Sequence, residues 1–112
     1  MRLLIAINED KGFDSKLSEH FGRCDYFAIY ETDTKKIKII KNNIDHSNQF
    51  LTPVDQVMKF QPDVVFTLGI GEKAKKLFEE KKVKIKTGNY KILKEVIENI
   101  DNLKELNKGC KD

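Results

Sequence analysis

Residues 3–7 read LLIAI, an unbroken run of apolar side chains. An amphipathic strand or helix would interrupt such a run with polar residues, so the run predicts a strand that is buried on both faces. The polar residues Asn8, Glu9 and Asp10 follow at once, and the chain then shows no regular apolar period as far as His20. The start of the chain therefore predicts the central strand of an α/β sheet, which runs into a long polar loop.

Two more β-rich runs follow, YFAIY at residues 26–30 and IKII at residues 37–40. Aromatic and β-branched side chains favour strands, and the polar residues 33–36 supply a turn between the two runs. Together with the first strand they predict an antiparallel meander. A second polar loop comes next at residues 42–48, and it contains His46.

The second half of the chain alternates helical and strand patterns. Thr52, Pro53 and Asp55 have the spacing of an N-cap, a first helical residue and a capping-box partner. The further predicted elements are a strand at 64–66, a glycine loop at 67–71, a helix at 72–82, an edge strand around Val83 and Ile85, a helix at 93–100, and a last helical turn with Leu103 and Leu106.

This order predicts an α/β fold with a mixed five-stranded sheet. An antiparallel meander joins parallel β-α-β units, and helices pack on the sheet. Residues 1–106 are expected to form one domain, and residues 107–112 a mobile tail.

Composition indicates a cytoplasmic protein without a membrane segment. The chain has 112 residues and a net charge of +3, and its 21 basic residues are all lysine except Arg2 and Arg23. Such lysine enrichment is reported for hyperthermophile proteins, so a thermophilic source is one explanation of it. The run at residues 3–7 is too short for a signal peptide or a transmembrane span. Cys24 and Cys110 lack the spacing and density of a disulfide framework, which indicates reduced thiols.

The segment SEHFGR, residues 18–23, contains side chains that can bind metals and anions. His20 can ligate iron or molybdenum through a neutral imidazole nitrogen. Arg23 offers a planar fork of donors to an anion, and Gly22 lets the backbone approach a ligand closely. Each residue also has an ordinary explanation: a surface histidine, a salt-bridge arginine and a tight turn. Phe21 is expected to pack in the core.

This segment resembles the signature of the dinitrogenase iron–molybdenum cofactor family. The strand at 64–66 that enters Gly69-Ile70-Gly71 matches the family as well, and so does the first strand entering a polar loop. The resemblance implies a ribonuclease-H-like, three-layer fold. It also implies binding or relay of iron–molybdenum cofactor, of a precursor, or of a related iron–sulfur or molybdenum–copper cluster.

The resemblance also implies which residues bind the cofactor: Ser18, His20, Gly22, Arg23, Gly69 and Gly71. His20 would be a metal ligand. Cys24 departs from the family, in which many members have a small apolar residue at this place, and it is either an extra ligand or a small buried hydrophobic residue. The amides of the glycine loop can point at an anion where the next helix begins, although a tight turn explains these glycines equally well. His46 belongs either to a solvated loop or to a loop that lies near His20 at the end of the sheet. Cys110 either caps a cluster, forms an artefactual disulfide or has no role.

Two widely spaced cysteines cannot supply the several thiolates that iron–sulfur clusters normally take. A bound cluster must therefore bring its own sulfide or be shared between subunits, which favours a transient carrier that meets cluster-donor or acceptor proteins. A regulatory interaction module without a cluster is the main alternative. A nuclease lacks converging carboxylates here, and the lysine-rich residues 73–94 give only a diffuse signal for nucleic acid. The protein is predicted not to be an enzyme, and its oligomeric state is left open.

Overall fold

The computed structural model describes residues 1–106, so the predicted tail and Cys110 lie outside the described residues. Three short 3-10 turns, at Gly12–Asp14, Met58–Phe60 and Ile100–Asn102, accompany the regular elements. The strands and helices, in chain order, are β1 (Arg2–Ile7), β2 (Tyr26–Glu31), β3 (Lys36–Lys41), α1 (Pro53–Val57), β4 (Val64–Phe66), α2 (Glu72–Glu80), β5 (Lys84–Thr87), α3 (Leu93–Glu98) and β6 (Lys104–Glu105).

The sheet is mixed, as predicted, and its strand order is β3-β2-β1-β4-β5-β6. Strand β1 is central: it pairs antiparallel with β2 and parallel with β4. Strand β3 pairs antiparallel with β2, and β5 pairs parallel with β4. The antiparallel meander and the parallel β-α-β units are therefore both confirmed.

The predicted count of five strands is wrong, because the sheet has six. Strand β6 pairs antiparallel with β5, through Lys86 with Glu105 and Thr87 with Lys104. Strand β5 is therefore not the edge of the sheet. The helical turn predicted around Leu103 and Leu106 is also wrong, because residues 104–105 form a strand. A two-residue strand is too short to show alternation, and the spacing of Leu103 and Leu106 fits a helical turn equally well.

Alternate side chains of β1 point into two separate cores, which explains its unbroken apolar run. Leu4 and Ala6 pack into the core under α1 and α2. Leu3, Ile5 and Ile7 pack into the core under α3. Helices therefore cover both faces of the sheet. None of the helices in the described part of the chain has the length and apolar character that a membrane crossing requires.

Helix α1 begins with the predicted capping box. The Thr52 hydroxyl accepts the N–H of Asp55 at 3.1 Å, and the Asp55 carboxylate accepts the N–H of Thr52 at 3.0 Å. Pro53 follows the N-cap, where its missing N–H costs nothing. The start of α1 is thus fixed locally, and this holds the end of the preceding loop in place.

Candidate functional site

Three loops meet at one end of the sheet because β1, β3 and β4 run in the same direction and end there. They are residues 8–25 after β1, residues 42–52 after β3, and residues 67–71 after β4. A cavity of about 160 Å³ lies between these loops and the start of α2. Its lining residues are His20, Phe21, Gly22, Arg23, His46, Pro53, Ile70, Gly71 and Ala74.

Ser18 shapes the turn that presents His20. Its side chain is 3% exposed, and its hydroxyl donates to the carbonyl of His20 at 3.0 Å. The same hydroxyl lies 3.2 Å from the His20 N–H, which donates to it. Ser18 does not line the cavity. The structure therefore gives Ser18 a contact with the backbone of its own turn rather than with the cavity.

Phe21 holds the turn to the body of the protein. Its ring is 2% exposed and lies 5.3 Å, centroid to centroid, from the rings of Phe27 and Phe78. Its backbone N–H donates to the carbonyl of Gly69 at 2.9 Å, which joins the first loop to the glycine loop. The neighbouring side chains of His20 and Arg23 are exposed. The core position expected for Phe21 is confirmed, and it leaves two polar side chains at the cavity.

The two predicted glycines play different parts. The N–H of Gly69 points to the hydroxyl of Thr67 at 3.4 Å, and that hydroxyl donates to the carbonyl of Gly69 at 2.8 Å. Gly69 therefore belongs to a buried turn. Gly71 lines the cavity as the N-cap of α2, and as a glycine it has no side chain of its own to cap the helix. Glu72 in the first turn adds a negative charge there, which opposes an anion.

Cys24 lies in the core rather than at the cavity. It is 4% exposed, and its thiol donates to the carbonyl of Phe21 at 3.1 Å. Burial raises the pKa of this thiol to about 12. Metal ligation requires the thiolate, so this environment opposes the predicted role as a ligand and agrees with the packing alternative. Within residues 1–106, no three His, Cys, Asp or Glu side chains are grouped so that they could hold a metal ion.

His46 is the site residue whose role the sequence left open. It lines the cavity from the second loop, and its Nε2 lies 3.1 Å from the carbonyl oxygen of Gly22. A β-carbon on Gly22 would meet the His46 ring at 3.5 Å, an ordinary contact distance. The structure therefore brings the two histidines of the chain to one cavity, together with Arg23 and Gly71.

Comparison with known proteins identifies the family. The sequence matches the dinitrogenase iron-molybdenum cofactor family over residues 1–103. This chain belongs to that family. Comparison with proteins of curated function gives no significant match.

Solved structures support the fold of this family member. The crystal structure of PH0822 is similar, with 28% identity and a TM-score of 0.74 over 96% of this chain and 98% of that chain. TM1290 from Thermotoga has 20% identity and a TM-score of 0.81, over 99% and 97% of the two chains. The apo form of the orange protein from Desulfovibrio gigas has 17% identity and a TM-score of 0.79, over 98% and 96%. At such identities the last two show the fold alone.

The predicted cofactor-binding residues of this family member thus divide into two groups. His20, Gly22, Arg23 and Gly71 line the cavity, whereas Ser18 and Gly69 form the turns beneath it. Sequence reasoning identified both loops but left open whether the His46 loop lies near them or is only a solvated loop. The only sequence signal for His46 was its place in a polar loop after a strand parallel to β1.

Proposed function

We propose that this protein binds an anionic metal–sulfur cluster in the cavity between its three loops and carries it between proteins without catalysing a reaction. The observation that carries the proposal is the meeting of His20, His46, Arg23 and the N-cap Gly71 at one cavity. Family membership supports the choice of cluster class. The candidate clusters are iron–molybdenum cofactor, a precursor, or a related iron–sulfur or molybdenum–copper cluster.

The donor set fits such a cluster. Imidazole nitrogen is a suitable ligand for iron and copper. A guanidinium group donates through its planar fork to an anionic surface of oxygen or sulfur. The side chains of His20 and Arg23 are both exposed, so a cluster can reach them without opening the core. His20 would hold a metal of the cluster, and Arg23 would face its negative charge.

The same donor set explains why binding would be transient. Among residues 1–106, no cysteine lines the cavity, and Cys24 is held as a buried thiol. The cluster would therefore keep its own sulfide shell or be shared between subunits, and two imidazoles with one arginine leave most of its surface to other contacts. We expect a donor protein to deliver it and an acceptor protein to remove it. A ribonuclease-H-like architecture and a single domain over residues 1–106 remain part of this proposal.

Anaerobic cluster uptake tests the proposal. The protein is incubated with iron and sulfide, or with thiomolybdate and copper(I), then desalted and analysed for metal, sulfide and absorption. We expect a stoichiometric chromophore in the wild type and at least about tenfold less retained metal in His20→Ala. Glu19→Ala is the matched control, since Glu19 is the exposed neighbour of His20 and does not line the cavity.

Two substitutions of Arg23 separate the role of its positive charge from that of its planar guanidinium group. Arg23→Gln should weaken retention, and Arg23→Lys should restore it only in part because an ammonium group lacks the planar fork. Lys94→Gln removes the same charge from an exposed position on α3 and should leave retention unchanged. A wild-type protein that retains neither kind of cluster would contradict the proposal. It would favour a regulatory interaction module on the same fold.

A further inference from the structure

His46 reaches the cavity from a loop whose backbone is held in place. Asn42 donates from its side-chain amide to the carbonyls of Gly22 at 3.2 Å and Cys24 at 2.8 Å. On the other side, the Asp45 N–H donates to the side-chain carbonyl of Gln56 at 2.7 Å. Gln56 returns a bond from its amide group to the Asp45 carbonyl at 2.9 Å. These bonds tie the neighbourhood of His46 to the first loop and to α1.

The hydrogen bond of the His46 ring fixes its tautomer. Nε2 lies 3.1 Å from the carbonyl oxygen of Gly22, and a carbonyl oxygen can only accept. Nε2 therefore carries the proton, and in the neutral ring Nδ1 holds a lone pair. Histidines that ligate metals typically donate their other ring N–H to a carbonyl or carboxylate in this way, which orients the ring and raises its basicity.

A purely structural role for His46 does not explain why its ring lies at the cavity. The Gly22 carbonyl already accepts the amide of Asn42 at 3.2 Å, so it does not need His46 as a partner. The His46 side chain is exposed, and burial in the core does not account for its position. Its ring nevertheless lies at the same cavity as His20.

We propose that His46 is a second metal ligand of the cluster, acting through Nδ1 from the loop opposite His20. This inference rests on the proposed function and narrows it. The bound group must be a metal–sulfide cluster with iron or copper atoms that can each be coordinated by an imidazole nitrogen, because the two histidines come from separate loops. Binding would add a metal link between two loops that hydrogen bonds already join, so both histidines would have to release the metal before the cluster leaves.

Two substitutions separate ligation from hydrogen bonding. His46→Gln keeps an N–H donor that can reach the Gly22 carbonyl but removes the imidazole lone pair, and His46→Ala removes both. Gln49→Ala changes an exposed side chain of the same loop and serves as the control. Each variant is loaded anaerobically with iron and sulfide, or with thiomolybdate and copper(I), and the metal retained after gel filtration is measured. Far-UV circular dichroism confirms that each variant is folded.

We expect both His46 variants to retain the cluster at least about tenfold less tightly than the wild type, with Gln no better than Ala. Retention at the wild-type level in His46→Gln would overturn the ligand role, because it would show that the imidazole lone pair is not needed. Retention in both His46 variants together with loss in His20→Ala would overturn this inference and leave the proposed function intact. Failure of the wild type to load would overturn both.

Discussion

Replacement of Phe21 by alanine tests how the histidine-bearing turn is attached to the protein. The Phe21 ring is 2% exposed and contacts two other rings at 5.3 Å between centroids. Truncation of a fully buried phenylalanine costs about 3–5 kcal/mol, and the two ring pairs favour the upper part of that range. For a domain of this length, a loss of 1 kcal/mol in unfolding free energy lowers the thermal unfolding midpoint by about 4 °C, so Phe21→Ala should lower it by about 12–20 °C.

The assay is urea unfolding followed by far-UV circular dichroism, with thermal unfolding as a second measure. Phe21→Leu keeps most of the apolar volume and should cost only about 1–2 kcal/mol. Phe50→Ala is the matched control, because Phe50 is 91% exposed and its loss should change stability by less than about 0.5 kcal/mol. A cost below about 1 kcal/mol for Phe21→Ala would refute the reasoning that this ring holds the turn.

Three further predictions concern the capping box and the buried thiol. Thr52→Ala should destabilise the protein by about 1 kcal/mol in urea unfolding. The same substitution should cost less in a protein that already carries Asp55→Asn, because the two side chains bond to each other's backbone; an equal cost in both backgrounds would contradict the reciprocal bonds. The Thr52 N–H and hydroxyl hold the pKa of Asp55 below its ordinary value. The stability that the Asp55 carboxylate contributes is therefore fully present above the pKa of Asp55 in the unfolded chain, and it is lost as the pH falls through the lower pKa of the folded protein. Asp55→Asn should reduce the loss of unfolding free energy at acid pH, measured by urea unfolding at several pH values. In a Cys110→Ser background, iodoacetamide should label Cys24 only after unfolding, and fast labelling of the native protein would contradict its burial.

The strongest local patterns predicted the fold correctly. The LLIAI run at residues 3–7 predicted a doubly covered central strand, and it packs into both cores. The spacing of Thr52, Pro53 and Asp55 predicted a helix start that the structure confirms bond by bond. Such signals are short-range, because the interacting residues lie within one strand or one helical turn. The two-residue strand β6 has no comparable pattern, and it was missed.

The candidate site could be predicted only in part, because it depends on contacts between loops. Sequence identified residues 18–23 and the glycine loop, and the bond from Phe21 to Gly69 joins them. It could not show that the N–H of Gly69 is taken by Thr67, nor that His46 reaches Gly22. The first is a local turn that glycine-rich sequence alone does not specify, and the second follows from the shared direction of β1, β3 and β4, which sets three loops side by side. The cytoplasmic location and the thermophilic source stay predictions.

The most direct test of the central claim is a titration of the ¹⁵N-labelled protein with a diamagnetic thiomolybdate anion, followed by amide chemical shifts. The account predicts shifts concentrated at residues 20–23, at His46 and at residues 70–71, with saturation as the anion is added. The same titration of His20→Ala should give much smaller shifts at these positions. Shifts centred on the exposed lysines 81, 82 and 84 at the opposite end of the sheet, or no saturable shifts, would contradict the account.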